Sequence, residues 1–209
     1  MSNETKLQIN AQRLYHSLEE LGQIGAYFDQ DTGLTGVRRL ALSSEDGQGR
    51  DLVVGWMKEL NLQITVDKIG NVYARRPGLR DDLAPVMMGS HIDSVPTAGR
   101  FDGCLGVLGA LEILRTLQEN KIQTQRPMVA AFFTDEEGCR FGTDMLGSAV
   151  ATGRLTLDYA YALQDRDRLV LRDELEKIGY RGDASEKVSA PFAYLECHVE
   201  QGPILGAEG

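Results

Sequence analysis

Two short apolar runs separated by an apolar helical segment constrain the fold of this chain most strongly. Residues Pro85–Gly89 and Met128–Phe133 have the length and composition of strands that are buried on both faces. The segment Cys104–Leu117 between them predicts an apolar helix, in which Gly106 and Gly109 would permit close approach to a sheet. A strand, a helix and a strand in this order form a right-handed crossover between parallel strands. The sequence therefore predicts an α/β fold with a mixed, largely parallel sheet flanked by helices.

Weaker patterns precede this unit. Leucines recur at helical spacing over the first thirty residues, which predicts one amphipathic helix that ends near Asp31–Gly33. Ser43 or Ser44 is placed to cap a second helix. Alternating residues from Leu62 to Arg75, interrupted by a Gly-Asn turn, predict a β-hairpin.

The patterns after residue 150 are less regular. A charged, weakly periodic stretch predicts an exterior helix at 165–178. The alternation from Ala193 to Val199 predicts a further strand.

Composition excludes several classes of function. The net charge of -9, from 22 basic and 31 acidic residues, argues against a nucleic-acid surface. No apolar stretch reaches the roughly 18 residues of a membrane helix, and the N-terminus does not resemble a signal peptide. We therefore expect a cytoplasmic protein without membrane or nucleic-acid partners. Cys104, Cys139 and Cys197 lie far apart, so they are expected to be small buried hydrophobic residues instead of disulfide or zinc ligands.

A histidine and two aspartates follow the first buried strand. His91 can offer a neutral imidazole to a metal, and Asp93 is placed to accept the other ring N–H and fix the tautomer. His91 taken alone would more often be a hydrogen-bonded structural histidine. Asp102 precedes the apolar helix and could be its N-cap, a role that is compatible with metal binding.

Three consecutive carboxylates, Asp135–Glu137, follow the second buried strand. They repel one another and lose solvation there, and a cation would relieve that repulsion. One carboxylate could bind the metal while its neighbour acts as general base on a metal-activated water. The alternative is a solvated acidic loop.

The third polar group lies on the last predicted strand. Period-two alternation places Glu196, His198 and Glu200 on one face, although this could also be the polar face of a half-exposed strand. Because open α/β sheets place their ligand sites at the carboxyl ends of strands, the three groups should meet at one edge. Mixed histidine and carboxylate ligation suits zinc, manganese or cobalt better than calcium.

Four segments also carry a resemblance to a known family. They are MGSHIDSV (residues 88–95), GRFDG (99–103), DEEGCRF (135–141) and HVEQGP (198–203). With this spacing the chain resembles the binuclear amidohydrolases, which include N-carbamoyl-L-amino-acid hydrolases, β-ureidopropionases and allantoate amidohydrolases. That family is related to the zinc aminoacylases and dipeptidases.

The resemblance implies a role for each matching residue. His91 and His198 would ligate a first metal ion, Asp102 would bridge two ions, and Glu137 would ligate the second. Glu136 would be the general acid/base that activates the bridging water. The cofactors implied are two divalent ions per active site of the intact enzyme: zinc, manganese or cobalt.

Two further residues receive roles from the same resemblance. Asp93 would orient His91, and Gln201 resembles a family glutamine that contacts the ureido group of the substrate. A histidine at position 198, where related peptidases often have a carboxylate, favours the N-carbamoyl branch.

Length separates this chain from the family that it resembles, because family members are roughly twice as long. Residues 1–209 would be the N-terminal portion of an aminopeptidase- or aminoacylase-like catalytic domain. The dimerisation domain and the C-terminal part of the catalytic domain, with the last histidine ligand, would be absent. The implied activity is hydrolysis of the ureido C–N bond of N-carbamoyl-L-amino acids, in a homodimer when full-length. The alternatives are an allantoate amidohydrolase, a β-ureidopropionase, or an inactive metal-binding fragment.

Overall fold

The computed structural model describes residues 7–185, 190–200 and 202–208. The strands are β1 (Ala26–Asp29), β2 (Leu34–Val37), β3 (Gln63–Val66), β4 (Val72–Arg76), β5 (Val86–His91), β6 (Met128–Phe133) and β7 (Ala193–Leu195). The helices are α1 (Ala11–Gly22), α2 (Ser44–Glu59), α3 (Cys104–Glu119), α4 (Leu146–Ala151), α5 (Leu157–Ala162), α6 (Leu171–Lys177) and α7 (Ile204–Glu208).

Five of the strands form one mixed sheet in the order β3-β4-β6-β5-β7. Strand β5 runs parallel to β6 and to β7, whereas β4 runs antiparallel to β6 and to β3. Helix α3 makes the crossover from β5 to β6. The predicted α/β class, the mixed sheet and the crossover unit are confirmed.

Helix α3 packs closely on the sheet and supplies much of the core. Val107, Leu111 and Leu114 are fully buried on it. A Cβ at Gly106 would lie 2.8 Å from the Cβ of Ser90, so only glycine permits this approach. The same expectation was wrong for the second glycine of the helix, which has open space beside it.

The N-terminal region differs from the single long helix that the leucine spacing predicted. Helix α1 ends at Gly22, and the following residues form an antiparallel hairpin of β1 and β2. Gly25 has a φ of 81° and its carbonyl accepts the N–H of Arg38 at 2.8 Å, so the chain turns away from the helix there.

The other local predictions had mixed outcomes. Ser43 caps α2 by accepting the N–H of Asp46 at 3.2 Å, and β3 with β4 forms the predicted hairpin. The helix expected at 165–178 is only the shorter α6, because the carboxylate of Asp165 accepts the N–H groups of Asp167 and Leu169 and holds a turn.

The structure also gives the burial of the three cysteines and the character of the helices. Cys104 is buried as expected, but Cys139 and Cys197 are exposed. Within the described ranges, no helix combines the length and the apolar character needed to cross a bilayer.

Candidate metal centre

The chemistry-bearing residues meet at the carboxyl edge of the sheet. His91 is the last residue of β5, Asp102 lies in the turn before α3, and His198 follows β7. Glu136 and Glu137 come directly after β6. The parallel strands β5, β6 and β7 end on the same side, and this common end brings the segments together.

The side chains of His91, Asp102 and His198 form a candidate cation-binding group, which could hold one cation. The Oδ1 atom of Asp102 lies 3.1 Å from Nε2 of His198 and 3.8 Å from Nε2 of His91. One ligand atom from each residue lies within 4.8 Å of the others. Nitrogen and oxygen ligands about 2.0–2.2 Å from a zinc ion are spaced on this scale.

The turn before α3 is shaped around the imidazole. Gly103 has a φ of 62°, and a Cβ there would lie 2.4 Å from Nε2 of His91. Gly103, and not Asp102, also occupies the N-cap position of α3. The N-cap role considered for Asp102 is therefore wrong. Sequence reasoning did not single out Gly103, although a glycine directly after the candidate ligand was a visible signal.

His91 presents an orphaned nitrogen to this group. The imidazole is 1% exposed, and its Nε2 has no hydrogen-bond partner among the described residues. Its Nδ1 lies 3.0 Å from the carbonyl oxygen of Asp93, which assigns the proton to Nδ1 and leaves the Nε2 lone pair facing the carboxylates. Burial lowers the pKa of His91, but the charges of Asp93 and Glu136 outweigh burial and raise the pKa overall. A cation fits this donor set.

The carboxylate of Asp93 does not make the expected hydrogen bond with the imidazole of His91. Its Oδ1 is 3.8 Å from Nδ1 of His91, and the backbone carbonyl of Asp93 makes the short contact instead. The carboxylate accepts the backbone N–H groups of Glu136 and Glu137, each at 3.3 Å. Burial raises the pKa of Asp93 to about 6. One residue therefore orients the imidazole through its backbone and the acidic loop through its side chain.

The acidic loop carries the electrostatic cost that its sequence predicted. Asp135 is buried at a φ of 52°, and neither carboxylate oxygen has a hydrogen-bond partner among the described residues. Burial, followed by the charges of Asp93 and Asp46, raises the pKa of Asp135 to about 8. Burial also raises the pKa of Glu137 to about 7, and its Oε1 atom is likewise unpartnered in the described residues. A cation would relieve this repulsion.

Glu136 is the acidic-loop residue that approaches His91. Its Oε2 is 3.4 Å from Nε2 of His91, and its side chain is one-third exposed. Glu136 also borders an apolar cavity of about 290 Å³ whose walls include Met87, Phe133 and Tyr194. The carboxylate can therefore contact both the cation-binding group and a molecule in the cavity.

Glu196 and Glu200, the other polar residues of the last predicted strand, have hydrogen-bond partners outside the His91–Asp102–His198 group. Strand β7 ends at Leu195, so the predicted strand to Val199 and its shared polar face are wrong. Glu196 bonds with Ser90 and Tyr194, and Glu200 accepts the N–H groups at the start of α7. Gln201 lies outside the described residues.

An α/β domain with a His–Asp–His group at the carboxyl edge of its sheet belongs to the class of domains that can hold a metal ion at that edge. Residues 87–209 match the family model "Peptidase family M20/M25/M40", and the chain belongs to this family. The resemblance described above is confirmed.

Individual relatives agree with that assignment. The chain is 45% identical to the N-carbamoyl-L-amino-acid amidohydrolase of Rhizobium meliloti, over 96% of this chain and 47% of that protein. It is 35% identical to the ureidoglycolate hydrolase of Oryza sativa subsp. japonica, over 96% of this chain and 42% of that protein.

A solved structure extends the agreement to the fold. A hydantoinase/carbamoylase family amidase from Burkholderia ambifaria superposes with a TM-score of 0.91 and 46% identity, over 97% of this chain and 48% of that one. The chain spans about half the length of the relatives it matches.

Proposed function

We propose that this chain is the N-terminal, metal-binding part of a catalytic domain that hydrolyses the ureido C–N bond of N-carbamoyl-L-amino acids. The observation that carries the proposal is the His91–Asp102–His198 group with Glu136 beside it. The names of the relatives support the ureido substrate class. We propose further that the intact protein is a cytoplasmic homodimer acting on this small-molecule substrate.

The residues divide into those that would hold cations and those that would move protons. His91, Asp102 and His198 would hold one divalent ion, and Asp102 with Glu137 would contribute to a second. Zinc, manganese or cobalt bound there would polarise the ureido carbonyl and lower the pKa of water.

Glu136 is the residue best placed for proton transfer. Its Oε2 lies near the cation-binding group, and its backbone N–H is held by Asp93. Glu136 would take a proton from the attacking water and deliver it to the leaving nitrogen as the C–N bond breaks. The products are the free amino acid and carbamate, which decomposes to carbon dioxide and ammonia. Gln201 would contact the ureido group, as the family resemblance implies.

A second substrate deserves a direct comparison. A relative named allantoate deiminase 1, from Glycine max, is 33% identical over 83% of this chain and supports allantoate as the alternative substrate. N-carbamoyl-β-alanine, the substrate of a β-ureidopropionase, is the third candidate.

The test measures ammonia release by the protein that the complete reading frame encodes, with Mn²⁺ or Zn²⁺ added. We expect hydrolysis of an N-carbamoyl-L-amino acid that a chelator abolishes and added metal restores. Preference for allantoate or N-carbamoyl-β-alanine would replace the substrate but keep the reaction. Chelator-resistant turnover, or no turnover on any of these, would contradict the proposal.

A further inference from the structure

A buried asparagine contacts the residues at which the acidic loop begins and ends. It lies beside β4, which is separated from β7 by β6 and β5 in the sheet. Asn71 precedes β4 and is fully buried. Its Oδ1 accepts the N–H of Thr134 at 2.9 Å, and its Nδ2 donates to the carbonyl of Gly147 at 3.0 Å. Because β4 and β6 are antiparallel, the start of β4 lies beside the end of β6. Asn71 therefore joins the two ends of the loop that carries the carboxylates.

A second carboxylate fixes the orientation of this amide. Asp67 accepts the other Nδ2 hydrogen of Asn71 at 2.9 Å and its backbone N–H at 2.8 Å. Ile69 and Tyr73 also donate to Asp67, from N–H and O–H respectively. With both Nδ2 hydrogens and Oδ1 engaged, a rotated Asn71 amide would place like groups against each other. The side chain is held in one orientation.

The partner on the far side of the loop is shaped to admit Asn71. A Cβ at Gly147 would lie 2.2 Å from Oδ1 of Asn71 and 2.5 Å from the nitrogen of Thr134. Only glycine permits this contact. The N–H of Gly147 also donates to the carbonyl of Thr134 at 2.8 Å, so the three residues form one hydrogen-bonded unit.

The path of the loop begins at this unit. Thr134 is followed by Asp135 in the left-handed region and then by Glu136 and Glu137. The N–H of Met145 closes the loop by donating to the carbonyl of Glu136 at 2.7 Å. The carboxylate of Asp93 accepts the N–H groups of Glu136 and Glu137, and the amide of Asn71 contacts Thr134 and Gly147 at the two ends of the loop.

We infer that Asn71 is a positioning residue, which acts through Thr134 to direct Glu136 and Glu137 toward the cation-binding group. This inference rests on the proposed function, because only that function gives Glu136 and Glu137 a cation to face. Its structural content, the order of the acidic loop, can be measured with or without metal.

The informative variant is Asn71→Ser, which cannot reach both Thr134 and Gly147. The matched control is Tyr73→Phe, which removes one hydrogen bond to Asp67 and leaves both of those contacts in place. Amide hydrogen exchange in metal-free protein is the first measurement. Exchange of the Glu136 and Glu137 amides is compared with that of Val129–Ala131 in β6, so that global destabilisation cancels.

We expect this ratio to rise about tenfold in Asn71→Ser, equivalent to about one lost hydrogen bond, and to stay at the wild-type value in Tyr73→Phe. An unchanged ratio in Asn71→Ser would overturn the inference. If Asn71→Ser fails to fold, Thr134→Ala is measured in its place. This variant loses the threonine hydroxyl but keeps the backbone N–H that donates to Asn71. An exchange ratio equal to that of wild type would support Asn71 as the residue that orders the loop. A raised ratio in Thr134→Ala would instead assign the role to the threonine hydroxyl and overturn the inference.

A Mn²⁺ titration adds the functional consequence. We expect Asn71→Ser to weaken the binding that depends on Glu137 by about 10- to 100-fold, the usual effect of losing a supporting contact, and to leave the tighter site unchanged. Equal weakening of both sites would overturn the inference. A wild-type protein that binds no Mn²⁺ would contradict the proposed function, while the exchange ratio would still decide the role of Asn71.

Discussion

Nε2 of His198 lies 3.1 Å from Oδ1 of Asp102, across the gap between the segment after β7 and the turn before α3. The same Oδ1 faces Nε2 of His91 at 3.8 Å, so one carboxylate oxygen lies between two imidazoles. Neither histidine is close to the other in sequence, and only the parallel arrangement of β5 and β7 brings them together. The cation-binding group is therefore a product of the fold.

Removing one of the three candidate metal ligands should weaken metal binding strongly. We expect His198→Ala to lower the affinity for Zn²⁺ by more than the roughly 10- to 100-fold that loss of a supporting contact costs. His16→Ala is the control, because His16 is exposed on α1. Competition with a chelating dye measures both affinities. A Zn²⁺ affinity of His198→Ala equal to that of His16→Ala would show that the metal binds elsewhere.

The two adjacent glutamates should have separable effects. In a catalytically active form of the protein, Glu136→Gln should reduce turnover by about 10²–10⁴-fold while metal content stays near the wild-type value. Glu137→Gln should instead lower the metal content, because Oε1 of Glu137 has no hydrogen-bond partner among the described residues and is available to a cation. Turnover and metal content measured on the same preparations check this. Reversed phenotypes would exchange the two roles.

The sequence predicted the unit of β5, α3 and β6 because the apolar composition of a strand or a helix is visible in its own residues. The apolar runs that became β5 and β6, and the helix between them, follow from burial and strand–helix–strand connectivity. The position of the candidate ligands follows from a second rule, that open α/β sheets place ligand sites at the carboxyl ends of their strands. The hairpin of β1 and β2 was missed because its strands are four residues each, and its Asp-Thr-Gly turn also fits a helix end.

Contacts that depend on tertiary approach could not be predicted. A Gly70-Asn71 pair is typical of a hairpin turn, and nothing local indicates that Asn71 also contacts Thr134 and Gly147. The role of Asp93 was divided in a similar way, since sequence cannot distinguish its carbonyl from its carboxylate as the partner of His91. The distant partners are Thr134 and Gly147 for the Asn71 side chain, and the backbone N–H groups of Glu136 and Glu137 for the Asp93 carboxylate.

The buried Asp67 should make stability depend on pH. Burial raises the pKa of Asp67 to about 7, against 3.8 for an ordinary aspartate, although hydrogen bonds from Asn71 and Tyr73 oppose the rise. Between these values the native state retains a proton that the unfolded chain has lost, so the free energy of unfolding falls as pH rises. Above about pH 7 both states are ionised and this slope disappears.

The comparison that isolates Asp67 is urea unfolding of wild type and Asp67→Asn in the presence of EDTA. We expect wild type to lose stability relative to the variant from pH 4 to pH 7, by an amount on the order of 4 kcal/mol if the full shift is realised. The difference should be constant from pH 7 to pH 8.5. A difference that is flat below pH 7, or that rises, would show that Asp67 is ionised in the native state throughout.

Residues 1–209 tested alone should bind one cation more tightly than a second. The described residues bring two histidines and one aspartate to the first position, whereas Asp102 and Glu137 are the groups assigned to the second. We expect about one zinc, manganese or cobalt ion per chain after desalting, and no ammonia release from N-carbamoyl-L-amino acids or allantoate. Catalysis needs both electrostatic stabilisation and substrate positioning, which are each worth several kcal/mol. Turnover near 1 s⁻¹, at the lower end of common enzyme rates, would show that these residues suffice for both.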